Sequence, residues 1–368
     1  MVYLDAAATT LRKPDAVAAA MGRALCQCGN PGRSGHAAAQ AADAVLLQCR
    51  QLAGAMFDAP PEQVVLTMNA THGLNLAIRS LVRPGQRVVV SGFEHNAVMR
   101  PLYALGARVT VAGRRLFNPA DTLASWEQAL RARPDAAVCT HVSNVFGYVL
   151  PVGEIAALCQ KYRVPLVVDA SQSAGTLQVS LRAWDCAYIA MPGHKGLYGP
   201  QGTGLLLCGQ TPEPLLCGGT GSQSRSFVMP DELPDRVEAG TPNLPGAAGL
   251  CEGLHFVAAH PDLLAHERRM LQCFRRRWGR AMRFWGGGSQ AGVLSLQLPG
   301  DCEAIAQALA EAGIAVRAGL HCAPLAHESA GTLDTGTVRL SPDAFSTCEE
   351  MEYTADTLAR IMNNLSNL

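Results

Sequence analysis

The sequence predicts an α/β fold in which a mostly parallel sheet lies between helices, followed by a smaller α+β domain at the C-terminal end. Strand and helix signals alternate from about residue 60 to residue 210. The strands are runs of Val, Leu and Ile without polar alternation, which is typical of strands buried on both faces. At 368 residues the chain exceeds the usual size of one hydrophobic core, so we expect two domains.

The elements of the large domain follow from short apolar runs and from helical spacing. The apolar runs predict strands at 64–68, 87–91, 107–112, 136–142, 165–169, 186–191 and 203–208. Helical spacing covers 71–82, 125–133 and 152–163. The first of these helices ends at Arg83-Pro84-Gly85, which is a stop signal because proline cannot continue a helix.

The pattern changes after about residue 250, where longer helices and shorter strands follow. The predicted elements are helices at 244–260 and 262–282, a strand at 292–298, a helix at 303–312, strands at 314–318 and 337–341, and a final helix. Thr347 and Glu350 have the spacing of a capping box and predict where that last helix begins. We expect an N-terminal segment, 1–13, that packs with the small domain, a large domain over 14–250, and a small C-terminal domain over 251–368.

Composition and charge argue against several classes of partner. Lys plus Arg equals Asp plus Glu at 30 each, which disfavours a nucleic-acid partner, and the arginines of 268–277 are interpreted as a solvated helix face. No apolar run approaches the roughly 18 residues that span a membrane, and the N-terminus lacks the pattern of a signal peptide. We therefore expect a cytoplasmic protein without a membrane partner.

The 13 cysteines are scattered and odd in number. This usage fits a cytosolic enzyme with reduced thiols better than a disulfide scaffold. Cys26 and Cys28 are separated by one residue and have no second pair nearby, so we assign no metal site.

The most informative segment joins a carboxylate to a lysine. The run 165–169 ends at Asp169, and after a second apolar run Lys195 follows in a glycine-flanked loop. Alone, such an Asp usually caps a turn and such a Lys is a solvated surface charge. Together they suit a bound pyridine ring, because the lysine can form a Schiff base with the aldehyde of pyridoxal phosphate and the acid can keep the ring nitrogen protonated.

Polar groups follow several of the predicted strands, and ligands of open α/β sheets gather at the carboxyl ends of strands. Strand 64–68 is followed by Asn69-Ala-Thr-His72, which opens a helix and could seat a phosphate, although plain N-capping explains it as well. His95 could stack on an aromatic cofactor. Asn144 and Gln172 could form hydrogen bonds with a ring hydroxyl group.

Two further candidates lie in the last third of the chain. Cys322 follows His321 in a loop after a strand, and a neighbouring histidine or other cation lowers the pKa of a thiol, whose thiolate is the nucleophile. A packing cysteine is the competing interpretation in so cysteine-rich a chain. Arg339 lies inside a short apolar strand and needs a partner, either a structural Asp or Glu or the α-carboxylate of an amino acid.

These candidates lie in segments that resemble the class V aminotransferase-like pyridoxal-phosphate enzymes, and within them the group II cysteine desulfurases and selenocysteine lyases. The matching segments extend nearly end to end. They are Tyr3-Leu-Asp-Ala-Ala-Ala8, Ala70-Thr-His-Gly-Leu-Asn75, Glu94-His95, His141-Val-Ser-Asn144, Val168-Asp-Ala-Ser-Gln172, Gly193-His-Lys-Gly196, Glu238-Ala-Gly-Thr-Pro-Asn243, and Arg317 with His321-Cys-Ala323. The Gly-His-Lys and Ala-Gly-Thr-Pro-Asn segments are the specific ones.

The resemblance implies the fold type I architecture, pyridoxal 5'-phosphate as cofactor and a homodimer. It implies catalytic roles for Lys195, Cys322 and His95, with Asp169 as the partner of the ring nitrogen. The remaining implied roles are phosphate binding by Thr71, His72, His194 and, from the other subunit, Thr241; contacts near the phenolic oxygen or substrate carboxylate by Asn144 and Gln172; and substrate binding by Arg339, Arg317 and His321.

Three positions depart from the usual pattern of that family. Pro192 stands where a phosphate-binding serine is often found. The cysteine motif of the family is often Gly-His-His-Cys, and here Leu320 replaces the first histidine. The phosphate turn is often Gly-Thr-Thr, and here it is Ala70-Thr71-His72. These departures place the chain in a divergent branch.

The resemblance implies a cysteine desulfurase that converts L-cysteine to L-alanine and takes the sulfur on Cys322 as a persulfide, with a possible sulfur-acceptor protein as partner. One alternative is a selenocysteine lyase or a cysteine or cystine C–S lyase. Another is a class V aminotransferase or epimerase in which Cys322 only packs. A sulfur-relay or scaffold protein without turnover is disfavoured by the pair Asp169 and Lys195.

Overall fold

The computed structural model describes residues 1–32, 34–278 and 285–366. Its strands are β1 (Val2–Tyr3), β2 (Val64–Thr67), β3 (Arg87–Ser91), β4 (Arg108–Ala112), β5 (Ala136–Thr140), β6 (Leu166–Asp169), β7 (Tyr188–Pro192), β8 (Gly204–Cys208), β9 (Leu294–Leu296), β10 (Ile314–Ala315), β11 (Arg317–Gly319) and β12 (Thr337–Leu340). Its helices are α1 (Asp15–Gln27), α2 (Ala37–Phe57), α3 (Ala70–Leu81), α4 (Asn96–Ala104), α5 (Pro119–Leu130), α6 (Val152–Tyr162), α7 (Leu181–Trp184), α8 (Leu244–Ala259), α9 (Leu263–Trp278), α10 (Cys302–Glu311), α11 (Pro324–Ala330) and α12 (Cys348–Ser366). Within the described ranges, every helix is too short or too polar to serve as a membrane span.

The central sheet has the strand order β2-β8-β7-β6-β5-β3-β4. The neighbouring pairs from β7 to β4 are parallel, and β8 is antiparallel to both of its neighbours. This arrangement confirms the predicted mostly parallel sheet. It also means that the carboxyl ends of β3, β5, β6 and β7 meet at one edge, where ligands of such sheets bind.

Both faces of the central sheet are buried, which explains the continuous apolar runs in the sequence. Val88 and Val90 of β3 belong to one hydrophobic core, whereas Val89 belongs to the core on the opposite face. Val167 and Val168 of β6 divide in the same way. Because successive side chains of a strand point to opposite faces, a strand covered on both sides needs an apolar residue at every position.

A separate, antiparallel sheet of order β11-β12-β9 lies in the C-terminal part of the chain. Together with α9, α10 and α12 it surrounds its own hydrophobic core. The predicted capping box is confirmed at the start of α12: Glu350 N donates to Thr347 Oγ1 at 3.2 Å and Thr347 N donates to Glu350 Oε2 at 3.0 Å. These reciprocal bonds satisfy N–H groups that a helix start leaves free.

The N-terminal residues join this C-terminal unit. Strand β1 pairs in parallel with β10, and Asp5 forms a bridge with Ser341 just after β12. Farther along, Thr9 Oγ1 and Thr10 Oγ1 both donate to the carbonyl of His194 in the large unit, at 3.2 and 3.1 Å. The first ten or so residues therefore contact both units.

One predicted strand is divided in the structure, and one predicted helix extends beyond the described residues. The predicted strand 314–318 is two strands, because β10 pairs with β1 whereas β11 pairs with β12, and Val316 lies between them. The predicted helix 262–282 is observed as α9 over Leu263–Trp278. The part of that prediction beyond 278 lies outside the described residues.

Helices α1 and α2 are absent from the sequence prediction. Their buried faces consist largely of alanine, including Ala20, Ala24 and Ala42, which pack on Ala247 and Ala248 of α8. Alanine is a strong helix former with little apolar surface, so its burial leaves a weak hydrophobic period. Helices α4, α7 and α11 are also absent from the prediction and are short.

One pair of cysteines departs from the expectation of reduced thiols. Cys273 of α9 and Cys348 of α12 form a disulfide, and the other cysteines are free. The two helices pack side by side, which joins residues separated by 75 positions in the chain. The expectation is therefore wrong for this pair, because pairing depends on tertiary proximity that cysteine spacing does not reveal.

Candidate active site

Lys195 lies in a tight loop that follows β7. Gly193 N donates to Thr203 O at 2.8 Å and Gly199 N donates to Gly193 O at 2.8 Å, so the loop folds back on itself. A Cβ atom at Gly193 would lie 2.1 Å from Thr203 Oγ1, which leaves room only for glycine. Burial lowers the pKa of Lys195 to about 8, and the nearby Asp169 carboxylate partly opposes that shift. A share of the amine is therefore neutral near neutral pH, as a nucleophile requires.

Asp169 ends β6, a central strand of the sheet. It lies between Thr140 of β5 and Ala190 of β7 and is 3% exposed. Its Oδ1 accepts a hydrogen bond from Ser171 N at 2.9 Å, which fixes the orientation of the carboxylate. A buried carboxylate held this firmly can pair with a protonated ring nitrogen.

Asp169 and Lys195 line the same cavity, of about 100 Å³. Five more of the residues predicted from the sequence line it with them: Thr71, His95, Asn144, Gln172 and His194. They follow five different strands and are scattered through the large domain. The carboxyl edge of the parallel sheet brings them together.

His95 precedes α4 and caps it. Its Nδ1 accepts a hydrogen bond from Ala97 N at 2.9 Å, so the proton of the neutral ring resides on Nε2. Burial lowers the pKa of the ring. A neutral imidazole held in one orientation suits stacking on an aromatic ring.

At the N-terminus of α3, the two predicted phosphate ligands Thr71 and His72 line different cavities. Asn69 caps the helix, since its Oδ1 accepts from His72 N at 2.9 Å. Thr71 lines the cavity, whereas His72 lines a larger neighbouring cavity and its Nδ1 accepts from Met68 N at 3.3 Å. The structure therefore places Thr71 in the cavity of Lys195 and His72 in the neighbouring cavity. The N–H groups at such a helix start suit an anion.

His194 is held by the N-terminal segment of the chain. Its Nδ1 lies 3.0 Å from Thr9 Oγ1, and its carbonyl accepts from Thr10 N at 3.1 Å and Lys13 Nζ at 3.0 Å. Burial, together with the charges of Lys195 and Lys13, lowers the pKa of His194 to about 4, so the ring is neutral. The sequence analysis missed these three contacts because nothing local links residues 9–13 to Lys195.

The carboxamide side chains of Gln172 and Asn144 both line the cavity but have different hydrogen-bond partners. Gln172 Nε2 donates to Ala7 O at 2.8 Å, and Asn144 Nδ2 donates to His321 O at 2.8 Å. Asn144 Oδ1 is buried and has no hydrogen-bond partner among the described residues. A buried acceptor without a partner costs free energy, so it indicates a position for a ligand group.

Cys322 lies on an exposed loop between β11 and α11. Its carbonyl accepts from Asn96 N at 2.8 Å, next to His95, and the preceding carbonyl of His321 is the one that Asn144 contacts. His321 and Cys322 have φ angles of 49° and 56°, in the left-handed region that residues other than glycine rarely adopt. The loop is therefore anchored to the elements that carry His95 and Asn144.

The structure does not bring His321 to the cavity. Its ring is buried, and Nε2 lies 3.1 Å from Thr337 Oγ1. Burial, with Arg339 and His327 nearby, strongly lowers the pKa of the ring. A neutral ring turned inward cannot supply the positive charge that the sequence predicts beside Cys322, and its contacts anchor the loop instead.

Arg339 is enclosed in the structure, at 2% exposure. Nη2 donates to Asp5 Oδ1 at 2.7 Å and Nη1 donates to Asn144 O at 3.0 Å. Of the two partners that the sequence left open, the structure shows a carboxylate of the chain itself. Arg317, which faces Arg339 across β11 and β12, is exposed and does not line the cavity.

Thr241 lines the larger neighbouring cavity, of about 1020 Å³, together with His72. It lies in the irregular segment between β8 and α8, and this single chain does not bring it to Lys195. The same segment exposes Leu216, Phe227 and Val228. The prediction that Thr241 reaches the site of another subunit stays a prediction.

Glu94 is a buried group whose role the sequence analysis missed. Its Oε1 accepts from Ser91 Oγ, from Ser91 N at 3.3 Å and from Thr140 N at 2.7 Å, which ties the ends of β3 and β5 together. Burial raises the pKa of Glu94 to about 8. The sequence signal for Glu94 was its position directly before His95 and after an apolar strand. The usual residue at such a position is a solvated turn residue, so the signal was weak.

Comparisons with known proteins identify the family of this chain. A family model described as Aminotransferase class-V matches residues 2–353. The chain is 31% identical to a probable cysteine desulfurase of Methanothermobacter thermautotrophicus, over 98% of this chain and 94% of that protein. The apo structure of the cysteine desulfurase from Thermococcus onnurineus NA1 matches with a TM-score of 0.89 at 27% identity, covering 99% of this chain and 95% of the other.

A second solved structure, that of the cysteine desulfurase CsdA from Escherichia coli, matches with a TM-score of 0.86 at 25% identity, covering 98% of this chain and 94% of the other. These neighbours confirm the predicted fold type I architecture. By sequence and by fold, the chain belongs to the class-V aminotransferase family, in which it is similar over nearly its whole length to cysteine desulfurases.

Proposed function

We propose that this protein is a pyridoxal-phosphate-dependent cysteine desulfurase, which converts L-cysteine to L-alanine and takes the sulfur on Cys322 as a persulfide. The observation that carries the proposal is that the Cys322 loop is bonded to the rim of the cavity of Lys195 and Asp169, through Asn96 N and Cys322 O at 2.8 Å. The relatives named cysteine desulfurase support the same activity.

The donor set of the cavity fits pyridoxal 5'-phosphate. Lys195 would bind its aldehyde carbon, Asp169 would pair with the ring nitrogen, and His95 would lie on the ring face. Thr71 and His194 would hold the phosphate, assisted by the N–H groups at the start of α3. When bound, the cofactor supplies an electron sink for negative charge at the substrate Cα.

The substrate side of the site carries unpaired polar groups. Arg339 Nε and Asn144 Oδ1 are both buried without a hydrogen-bond partner among the described residues. The free N–H of Arg339 suits the α-carboxylate of an amino acid, and the free oxygen of Asn144 suits its amine. Arg317, exposed beside them, would attract the anionic end of the substrate from solvent.

Two side chains of the protein would carry the bond changes. Lys195, whose pKa is lowered to about 8, would accept the α-proton as a neutral amine. The Cys322 thiolate would then attack the substrate sulfur: an S–S bond forms, the Cβ–S bond breaks, and Cβ gains a proton to become a methyl group. Lys195 would return a proton to Cα, which completes alanine. The sulfur left on Cys322 is a persulfide, and no outside oxidant is needed.

We also propose that the protein acts as a homodimer in the cytoplasm. The cavity that holds Thr241 and His72 also includes the exposed Leu216, and it is an apolar surface that a second copy would cover. That copy would bring Thr241 toward the phosphate end of the site. The exposed Cys322 would be the contact for a sulfur-acceptor protein, and the preponderance of free cysteines supports a reducing compartment.

The test is product analysis. The holoenzyme is incubated with L-cysteine and, in parallel, with L-selenocysteine and L-cystine, and alanine, pyruvate and protein-bound persulfide are measured. We expect alanine from L-cysteine in step with protein-bound sulfur. Pyruvate and ammonia would indicate C–S β-elimination instead, and keto-acid-dependent transamination would indicate an aminotransferase; either result contradicts the proposal.

A further inference from the structure

The arginine assigned to the substrate carboxylate already has a carboxylate partner in the chain. Arg339 Nη2 donates to Asp5 Oδ1 at 2.7 Å, and the guanidinium is 2% exposed. Asp5 is held in place by its bridge to Ser341 and by its position two residues after the end of β1. The contact is therefore fixed by the backbone on both sides.

Asp5 does not use up the donors of Arg339. Besides the bond to Asp5, Nη1 donates to Asn144 O at 3.0 Å, and Nε is buried without a partner among the described residues. A guanidinium carries more N–H groups than these two bonds use. Donors remain for a second carboxylate beside that of Asp5.

Both members of the pair act on the reacting amine. Asp5 raises the pKa of Lys195 and Arg339 lowers it, so both charges lie within electrostatic reach of Lys195. Asn144, which contacts Arg339, lines the cavity of Lys195. Arg339 and Asp5 do not line that cavity themselves; the pair lies directly behind Asn144, on the side where the substrate carboxylate would lie.

We propose that Asp5 sets the affinity of the proposed substrate site for the α-carboxylate: it holds the guanidinium of Arg339 in place and makes the substrate α-carboxylate share that guanidinium with a fixed negative charge. The proposal rests on the proposed function, in which Arg339 binds the α-carboxylate. Two carboxylates on one guanidinium repel each other, so Asp5 weakens the binding of any amino acid through its carboxylate. Weak carboxylate binding helps the product alanine to leave.

The experiment compares two ligands on the holoenzyme. L-alanine and L-alaninamide, which lacks the carboxylate charge, are titrated into the wild type and into Asp5→Asn, and binding is followed by the absorbance of the bound cofactor. We expect Asp5→Asn to bind L-alanine about threefold to tenfold more tightly, since a like charge at close range is removed, and L-alaninamide with unchanged affinity.

Asp356→Asn is the matched control. It removes one carboxylate from another Arg–Asp pair of the C-terminal unit, in which Arg277 Nε donates to Asp356 Oδ1 at 2.6 Å. We expect this variant to bind both ligands as the wild type does. If Asp5→Asn is insoluble, Asp5→Ser also lacks the charge in a smaller volume, and the same two results are expected.

The proposal is overturned if Asp5→Asn binds L-alanine no more tightly than the wild type, or if both ligands change equally. Equal changes would mean that Asp5 acts on the fold and not on the carboxylate. Because the titration involves no sulfur chemistry, its outcome is separate from that of the product analysis. Absence of alanine and persulfide from L-cysteine in the wild type would contradict the proposed function alone.

Discussion

The sheet side and the loop side of the site are held in opposite ways. Asp169 ends a central strand, is 3% exposed and is fixed by a backbone hydrogen bond, and His95 caps the helix that follows β3. Cys322 lies on an exposed loop with two consecutive residues in the left-handed region. The groups that we propose to hold the cofactor ring lie on rigid elements, whereas the thiol that we propose to carry the sulfur lies where it can be reached.

The largest effect that separates the two sides is expected from Cys322→Ser. Loss of the thiol removes the nucleophile, so persulfide formation and turnover of L-cysteine should fall to background, whereas the absorbance and affinity of the bound cofactor should stay as in the wild type. Cys217→Ser, at another exposed cysteine, is the control and should change neither. Mass spectrometry that maps a persulfide to a different cysteine of Cys322→Ser would relocate the acceptor.

A smaller effect, confined to the sheet side, is expected from Asp169→Asn. The substitution removes a preorganised charge, so loss of the substrate α-proton should slow by roughly 10²–10⁴-fold. Exchange of the Cα proton of L-alanine with deuterium, followed by NMR, measures that step without any use of Cys322. Asp135→Asn, at an exposed turn, is the control. An exchange rate equal to that of the wild type would remove Asp169 from its proposed role.

The smallest effect concerns stability and tests the hydrogen bonds beneath the site. The pKa of Glu94 is raised by burial to about 8, so the folded state holds a proton there that the unfolded state loses near the ordinary carboxyl pKa. Stability should therefore fall as pH rises from about 5 to 8, by roughly 3–4 kcal/mol from this group. Glu94→Gln, a neutral isostere, should lack that loss.

Denaturant unfolding at the two pH values measures the difference between the wild type and Glu94→Gln. Glu154→Gln, at an exposed position of α6, is the control and should keep the slope of the wild type. The same pH dependence in Glu94→Gln and in the wild type would show that Glu94 does not titrate as proposed.

The sequence predicted the central sheet well because burial on both faces produces continuous apolar runs in the local sequence. Strand β3 was predicted with its observed bounds, Arg87–Ser91. Strand β6 was predicted at 165–169, within one residue of its own observed bounds, Leu166–Asp169. The alanine-rich faces of α1 and α2 do not produce a clear hydrophobic pattern in the sequence. The disulfide between Cys273 and Cys348 and the split of the predicted strand 314–318 depend on neighbours that are distant in the chain.

The same division applies within the site. Residues that directly follow strands, such as Asp169 and Asn144, were predicted because the topology of a parallel sheet places strand ends together. The role of His321 could not be predicted, since whether a ring next to Cys322 points outward or into the core is decided by Thr337 and by packing. Asp5 was visible only as part of a matching segment, and its partner Arg339 lies 334 positions away.

The sequence by itself determined the class of fold, the lysine and carboxylate of the cavity, and the family, because each depends on residue types in local order. Tertiary structure alone decided the partners of these polar groups: Asp5 contacts Arg339, Lys13 contacts the carbonyl of His194, and the ring of His321 lies in the core away from solvent. The physical reason is that burial and hydrogen bonding set the state of a polar group, and both are created by segments that chain order does not place side by side.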